Sequence, residues 1–228
     1  MLPIDFLKDA TSPVRILCLG AHSDDIEIGC GGTVLELIAD GRDIEITWVV
    51  FSSGKDRERE ARASADLFLD KVHRKEVIVH HFRDGFFPYD GAQIKEQFEV
   101  LKKKISPDVV FTHYRNDRHQ DHRTISDLTW NTWRNHLVLE YEIPKYDGDL
   151  GVPNCLVPLR RETCERKIKY ICDTFQTQSN KAWLTDDTFW GLLRLRGVEC
   201  ASPERFAEAF YSRKLVWNVR TGQGTPAS

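Results

Sequence analysis

Val14 to Leu19 reads VRILCL, Gly20 to Asp25 reads GAHSDD, and Ile26 to Thr33 reads IEIGCGGT. A continuous apolar run of this length, closed by glycine and short polar residues, fits a strand buried on both faces. Helical spacing follows, with Val34, Leu35, Leu37 and Ile38 recurring within Gly31–Asp40 before Gly41 stops the pattern. A second apolar run, Ile44–Phe51 (IEITWVVF), completes a β-α-β unit.

The alternation continues outward from that unit. Helical patterns over Asp56–Asp70, Ala92–Ile105 and Thr124–Leu137 interleave with strand patterns over Glu76–His81 and Val109–Thr112, and Pro107 resets the chain before the last strand. Asp121 is placed to cap the helix at Thr124. The predicted fold is therefore α/β: a single Rossmann-like domain over residues 1–228, with a mostly parallel sheet, helices on both faces and the active site at the C-terminal edge of the strands. Beyond Tyr141 the pattern weakens. Pro144–Pro158 reads as a long loop of the kind that often carries function. Helices are expected over Arg160–Phe175 and Lys181–Arg196, a short closing segment over Arg213–Val219, and a frayed tail over Thr221–Ser228.

Composition narrows the class. The chain has 228 residues, 41% hydrophobic and 29% charged, which is enough to bury a core without disulfides or a structural metal. A net charge of -3 with no basic stripe argues against a nucleic-acid partner, and Lys102, Lys103 and Lys104 read as a solvated helix face. No apolar run is long enough for membrane insertion, and Met1–Ser12 lacks the basic-then-apolar layout of a secretion signal, so a cytoplasmic protein is expected. Cys18, Cys30, Cys155, Cys164, Cys172 and Cys200 show no Cys-x-x-Cys pairing and read as reduced thiols. Composition leaves a homo-oligomer open.

Two segments carry the chemistry. His22, Asp24 and Asp25 follow the first strand, and His113, Asp117, His119, Asp121 and His122 follow the fourth. Both segments lie at the sheet edge where ligands bind in open α/β folds, so residues distant in sequence can converge there. A catalytic zinc takes three imidazole or carboxylate ligands and leaves one position to water. His22 and Asp25 can supply two ligands from one turn, and His122 or His119 the third. A metal so held brings the pKa of water to about 7 and polarises a carbonyl. Asp24 is then free to act as base, and the remaining histidine to stabilise an oxyanion or protonate a departing amine. Taken singly, a histidine after a strand is usually a surface or packing residue and Asp-Asp in a loop a solvated turn; it is their combination that points to metal chemistry. Gly29, Gly31 and Gly32 suggest a dinucleotide turn, but the spacing departs from G-x-G-x-x-G and the adjacent carboxylates repel a pyrophosphate. The glycines read better as close packing of the first helix beneath the site.

At these segments the sequence resembles the LmbE-like, or PIG-L-like, N-acetylglucosaminyl deacetylase family. Its usual motifs are A-H-P-D-D followed by G-x-G-G-T, then H-x-x-D-x-H-x-D-H; this chain has AHSDD, GCGGT and HYRNDRHQDH. The motif-bearing core spans about residues 14–137, and the C-terminal third matches loosely. The resemblance implies that His22, Asp25 and His122 hold zinc, that Asp24 is the general base, that His119 meets the oxyanion or leaving group, and that Asp121 orients His119; a buried carboxylate beside an imidazole is expected to raise its pKa, consistent with that assignment. The resemblance also implies a sugar contact for Arg57, whose alternative is a helix salt bridge with Glu60. Ser23 stands where the family commonly has proline, and Ile26 where it often has glutamate, with Glu27 one residue later.

The resulting expectation is a zinc-dependent hydrolase that removes an N-acyl group, acetyl by family, from a small amino-sugar substrate. Imidazole and carboxylate also accept other divalent ions such as Fe2+. The rivals are a zinc amidase acting on a non-sugar amide and a noncatalytic metal- or nucleotide-binding module. Arg57, Asp84, Trp183 and Tyr146 are candidates for a substrate wall, although aromatic residues are more often core.

Overall fold

The computed structural model describes residues 4–5 and 13–216. The expectations for Met1–Ser12 apart from residues 4–5, for Thr221–Ser228 and for the end of the Arg213–Val219 segment lie outside the described residues.

Five parallel strands form the body of one sheet: β1 (Val14–Gly20), β2 (Ile44–Val50), β3 (Arg74–Val79), β4 (Val109–His113) and β5 (Leu137–Tyr141). Their spatial order is β3-β2-β1-β4-β5, so the order of winding reverses between β1 and β4, the switch point at whose C-terminal strand ends open α/β folds bind ligands. Two further strands, β6 (Cys155–Leu159) and β7 (Phe206–Tyr211), extend the sheet antiparallel in the order β5-β7-β6.

Period-two alternation divides the core into two layers. Ile16, Cys18, Ile46, Trp48 and Val50 face α1 (Asp25–Ala39), α2 (Lys55–Phe68), α5 (Arg161–Thr174) and α6 (Asp186–Glu199). Leu17, Leu19 and Val49 face α3 (Gly91–Lys104) and α4 (Gln120–Thr132), where Phe98, Ile125 and Trp133 fill the space. All six cysteines are free thiols. Among the described residues, no helix is long and apolar enough to cross a membrane.

Several boundaries differ from the sequence reading. The first helix begins at Asp25, not Gly31, so the glycines lie inside it. A Cβ on Gly29 would enter the Tyr141 ring, and one on Gly32 would come within 2.7 Å of Glu208 Oε1, so these glycines do allow close packing. The helix expected at Thr124–Leu137 runs Gln120–Thr132; its N-cap is His119, whose ring accepts the Asp121 N–H, and Leu137 opens β5. The expected loop Pro144–Pro158 ends in β6, where Pro158 is tolerated because β6 is an edge strand. The closing strand lies at Phe206–Tyr211, before Arg213.

Candidate active site

The ends of β1 and β4 bring the two segments together. Asp25 starts α1, and its Oδ2 accepts the His22 backbone N–H at 2.6 Å, so ligand-type groups three residues apart share one turn. From the other segment, His122 projects from the first turn of α4. His22 Nδ1 lies 3.2 Å from His122 Nε2 and 3.4 Å from Asp25 Oδ2, while His122 Nε2 lies 3.5 Å from Asp25 Oδ1. A tetrahedral ion with bonds near 2.1 Å separates its ligand atoms by about 3.4 Å, so the spacing fits.

Proton bookkeeping points the same way. His122 Nδ1 is 2.8 Å from Asp117 Oδ2, and His22 Nε2 is 3.1 Å from Asp84 Oδ1 and 3.3 Å from Asp121 Oδ2. If those nitrogens carry the protons, lone pairs on His22 Nδ1, His122 Nε2 and Asp25 converge. Lone pairs this close require a shared positive charge, either a proton or a metal ion. Against the effect of burial, hydrogen bonds with Asp121, Asp25 and Asp84 push His22 well above its ordinary pKa. Burial and the charge of His113 bring His122 down to about 4. Despite burial, the charges of His122 and His113 hold Asp25 well below the usual carboxylate range.

Among the described residues, three clusters have ligand atoms within 4.8 Å of one another: His22, His119 and His122; His22, Asp84, His119 and Asp121; and Asp25, His113 and His122. The set His22, Asp25, His122 draws two members from the first and two from the third. The buried His/Asp centre can therefore hold a metal ion.

Asp24 is buried beside this centre, and burial together with the neighbouring Asp25 charge raises its pKa. Arg57 Nη2 donates to Asp24 Oδ1 at 3.2 Å and Arg57 Nη1 lies 3.7 Å from Asp84 Oδ2. Glu60 instead accepts the backbone N–H and hydroxyl of Thr177. His119 Nδ1 accepts the Asp121 N–H at 3.3 Å, which leaves Nε2 to carry the proton of a neutral ring. Burial and the charge of His22 lower the His119 pKa; Asp121 opposes this without reversing it, contrary to the expected rise. The Asp121 carboxylate is fixed by the N–H groups of Gly85 at 2.6 Å and Phe87 at 3.1 Å, and faces His22.

Other expectations separate here. Asp84 joins the site, whereas Trp183 packs against the core, and Tyr146 is exposed with its hydroxyl accepting the Ala182 N–H. Ser23, in the proline position, is buried and donates to the Ser53 hydroxyl at 3.2 Å. Glu27 is fully buried, and burial drives its pKa well up against the opposing effect of the Ser64 hydroxyl. Two members of the second motif gain contacts the sequence did not assign. His113 Nε2 accepts the Ala21 N–H at 2.9 Å and lies 3.2 Å from Asp25 Oδ2, while Asp117 grips His122. Their place inside the motif was the available signal; Asp84 was expected at a substrate wall rather than against His22, and Gly85 had no signal.

Fold and centre together define an α/β enzyme with a metal-type His/Asp site at the C-terminal strand ends. A family model described as PIG-L, GlcNAc-PI de-N-acetylase, matches residues 17–133, and the chain belongs to that family, among enzymes of the deacetylase class. It is 30% identical over 151 residues to the uncharacterized deacetylase YaiS of Escherichia coli strain K12, covering 60% of this chain and 78% of YaiS. The N,N'-diacetylchitobiose deacetylase of Pyrococcus horikoshii, solved with an inhibitor, superposes with a TM-score of 0.66 at 22% identity, covering 90% of this chain and 85% of that one. GalB, the 4-carboxy-2-hydroxymuconate hydratase of Pseudomonas putida KT2440, superposes with a TM-score of 0.66 at 17% identity, covering 91% and 100%. The last likeness shows that the fold alone does not choose the reaction.

Proposed function

We propose that this chain hydrolyses the N-acetyl group of an amino sugar or amino-sugar conjugate, with His22, Asp25 and His122 holding zinc. The observation that carries the reading is the convergence of those three donors at 3.2–3.5 Å beside a buried carboxylate that is not among them, Asp24. A divalent ion there would polarise the amide carbonyl and acidify water. Asp24, raised by burial, is suited to take a proton from that water and pass it on. Arg57 keeps Asp24 oriented and stands at the site's edge, where it can also reach a sugar hydroxyl. His119, neutral with its proton on Nε2, is a donor for the developing oxyanion. Asp121 holds His22 through its carboxylate and His119 through its backbone N–H.

The amino-sugar substrate is supported by the family description and by the diacetylchitobiose deacetylase among the fold neighbours. We assign the whole chain to one catalytic domain, acting in the cytoplasm. The test is release of free amine from a panel of N-acetylated sugars and non-sugar amides, after chelation and then with zinc restored. Turnover of sugars only, and only with metal, is expected. Turnover of simple amides alone would move the substrate class, and undiminished turnover in metal-free protein would remove the metal.

A further inference from the structure

The segment between β5 and β6 lies outside the family match, yet it contacts Asp117 beside the His/Asp centre. Lys145, only 9% exposed, places Nζ 2.9 Å from Asp117 Oδ2 and 2.5 Å from Asp149 Oδ2. Asp149 Oδ2 also accepts the Arg118 N–H at 2.7 Å. Asp117 links both histidines of the second motif's end: Oδ1 accepts the His119 N–H at 2.7 Å, and Oδ2 lies 2.8 Å from His122 Nδ1. Asp117, Lys145 and Asp149 are each nearly enclosed, with side chains 2%, 9% and 6% exposed.

We propose that Lys145 is a positioning residue for the metal site: it fixes Asp117 as the acceptor of His122 Nδ1–H, so that His122 presents Nε2 to the ion. This rests on His122 being a ligand. The argument is geometric. A ligating imidazole is oriented by what its other nitrogen meets, and such partners typically contribute 10–100-fold to metal affinity. Asp117 bridges His122 and the His119 backbone, and Lys145 is the cation that holds the bridging oxygen. Asp149 completes the latch by tying the same lysine to the Arg118 N–H, so two contacts join the β5–β6 segment to the second motif. An ion pair serving only to staple the segment would have no need to share the oxygen that faces a ligand.

The experiment measures zinc affinity by chelator competition on Lys145→Met, Lys145→Arg, Asp117→Asn and His122→Ala, with melting of the metal-free proteins alongside. Lys145→Met should weaken zinc binding about 10-fold or more, Asp117→Asn by 10–100-fold, and Lys145→Arg should recover part of the loss. In 15N-histidine spectra of the metal-free protein, His122 should carry its proton on Nδ1 in the parent chain and lose that preference in Lys145→Met. Should Lys145→Met fail to fold, Lys145→Met/Asp149→Asn, which removes one of the two carboxylates left facing each other, takes its place with the same expected loss. Zinc affinity within 2-fold of the parent, with an unchanged His122 tautomer, would overturn the proposal and leave Lys145 a loop staple. If His122→Ala itself leaves affinity intact, it is the ligand assignment that fails.

Discussion

The parallel half of the molecule and its antiparallel extension treat charged groups in opposite ways. At the ends of β1 and β4, donors of like character are crowded together, with His22, Asp25 and His122 within 3.5 Å and Asp24 adjacent. In the C-terminal third, buried charges are neutralised on the spot. Lys167 Nζ donates to Glu208 Oε1 and to the Ile28 carbonyl, each at 2.6 Å, while Glu208 accepts the N–H groups of Gly32 and Thr33 at 2.7 Å. Arg196 makes a two-pronged contact with Glu142, both bonds 2.7 Å. Crowded donors mark chemistry and satisfied pairs mark positioning; the second region grips the helix that carries Asp25 in the first.

That contrast can be broken by substitution. The largest effect is expected for Asp24→Asn, which should lower kcat by about 10²–10⁴-fold while zinc content stays near that of the parent. A large fall in bound metal would instead make Asp24 a ligand. Replacing His122 by alanine should weaken zinc binding more than replacing His119, measured by metal titration; the reverse order would exchange their roles.

Effects in the second region should appear as stability. Lys167→Met leaves Glu208 buried without its cation and should cost about 3–5 kcal/mol in denaturant unfolding. The folded fraction should keep a near-normal kcat, whereas a rate loss as large as that of Asp24→Asn would erase the distinction between the regions. Gly32→Ala forces a methyl against Glu208 and Leu159 and should cost about 1–3 kcal/mol. Tyr146→Phe removes only the acceptor of the exposed Ala182 N–H, and a change of no more than about 1 kcal/mol is expected.

The two regions also differed in how much the sequence disclosed. β1, β2 and β4 are dense apolar runs with turn residues after them, so the parallel sheet and its reactive edge were legible, together with the grouping of His22, Asp24, Asp25, His119, Asp121 and His122 near one point. β5 was missed because LVLEY follows a helix with no strong turn signal. β6 was hidden by Pro158, and β7, FAEAFY, is rich in alanine and glutamate, which favour helix. Propensity gave way there to the pairing available along β5. Lys145, the Gly85 N–H and the contact of Asp84 with His22 could not be read because these roles arise only when separate loops meet, and no local spacing encodes such a meeting. The choice of His122 over His119 as ligand rests on family resemblance; the contact of His122 Nδ1 with Asp117 is what the fold adds.

Anomalous diffraction at the zinc edge from zinc-loaded crystals tests the central claim most directly. A single peak about 2.0–2.2 Å from His22 Nδ1, His122 Nε2 and an Asp25 oxygen is predicted. A peak among Asp84, His119 and Asp121, with His122 and Asp25 turned away from it, would contradict the account.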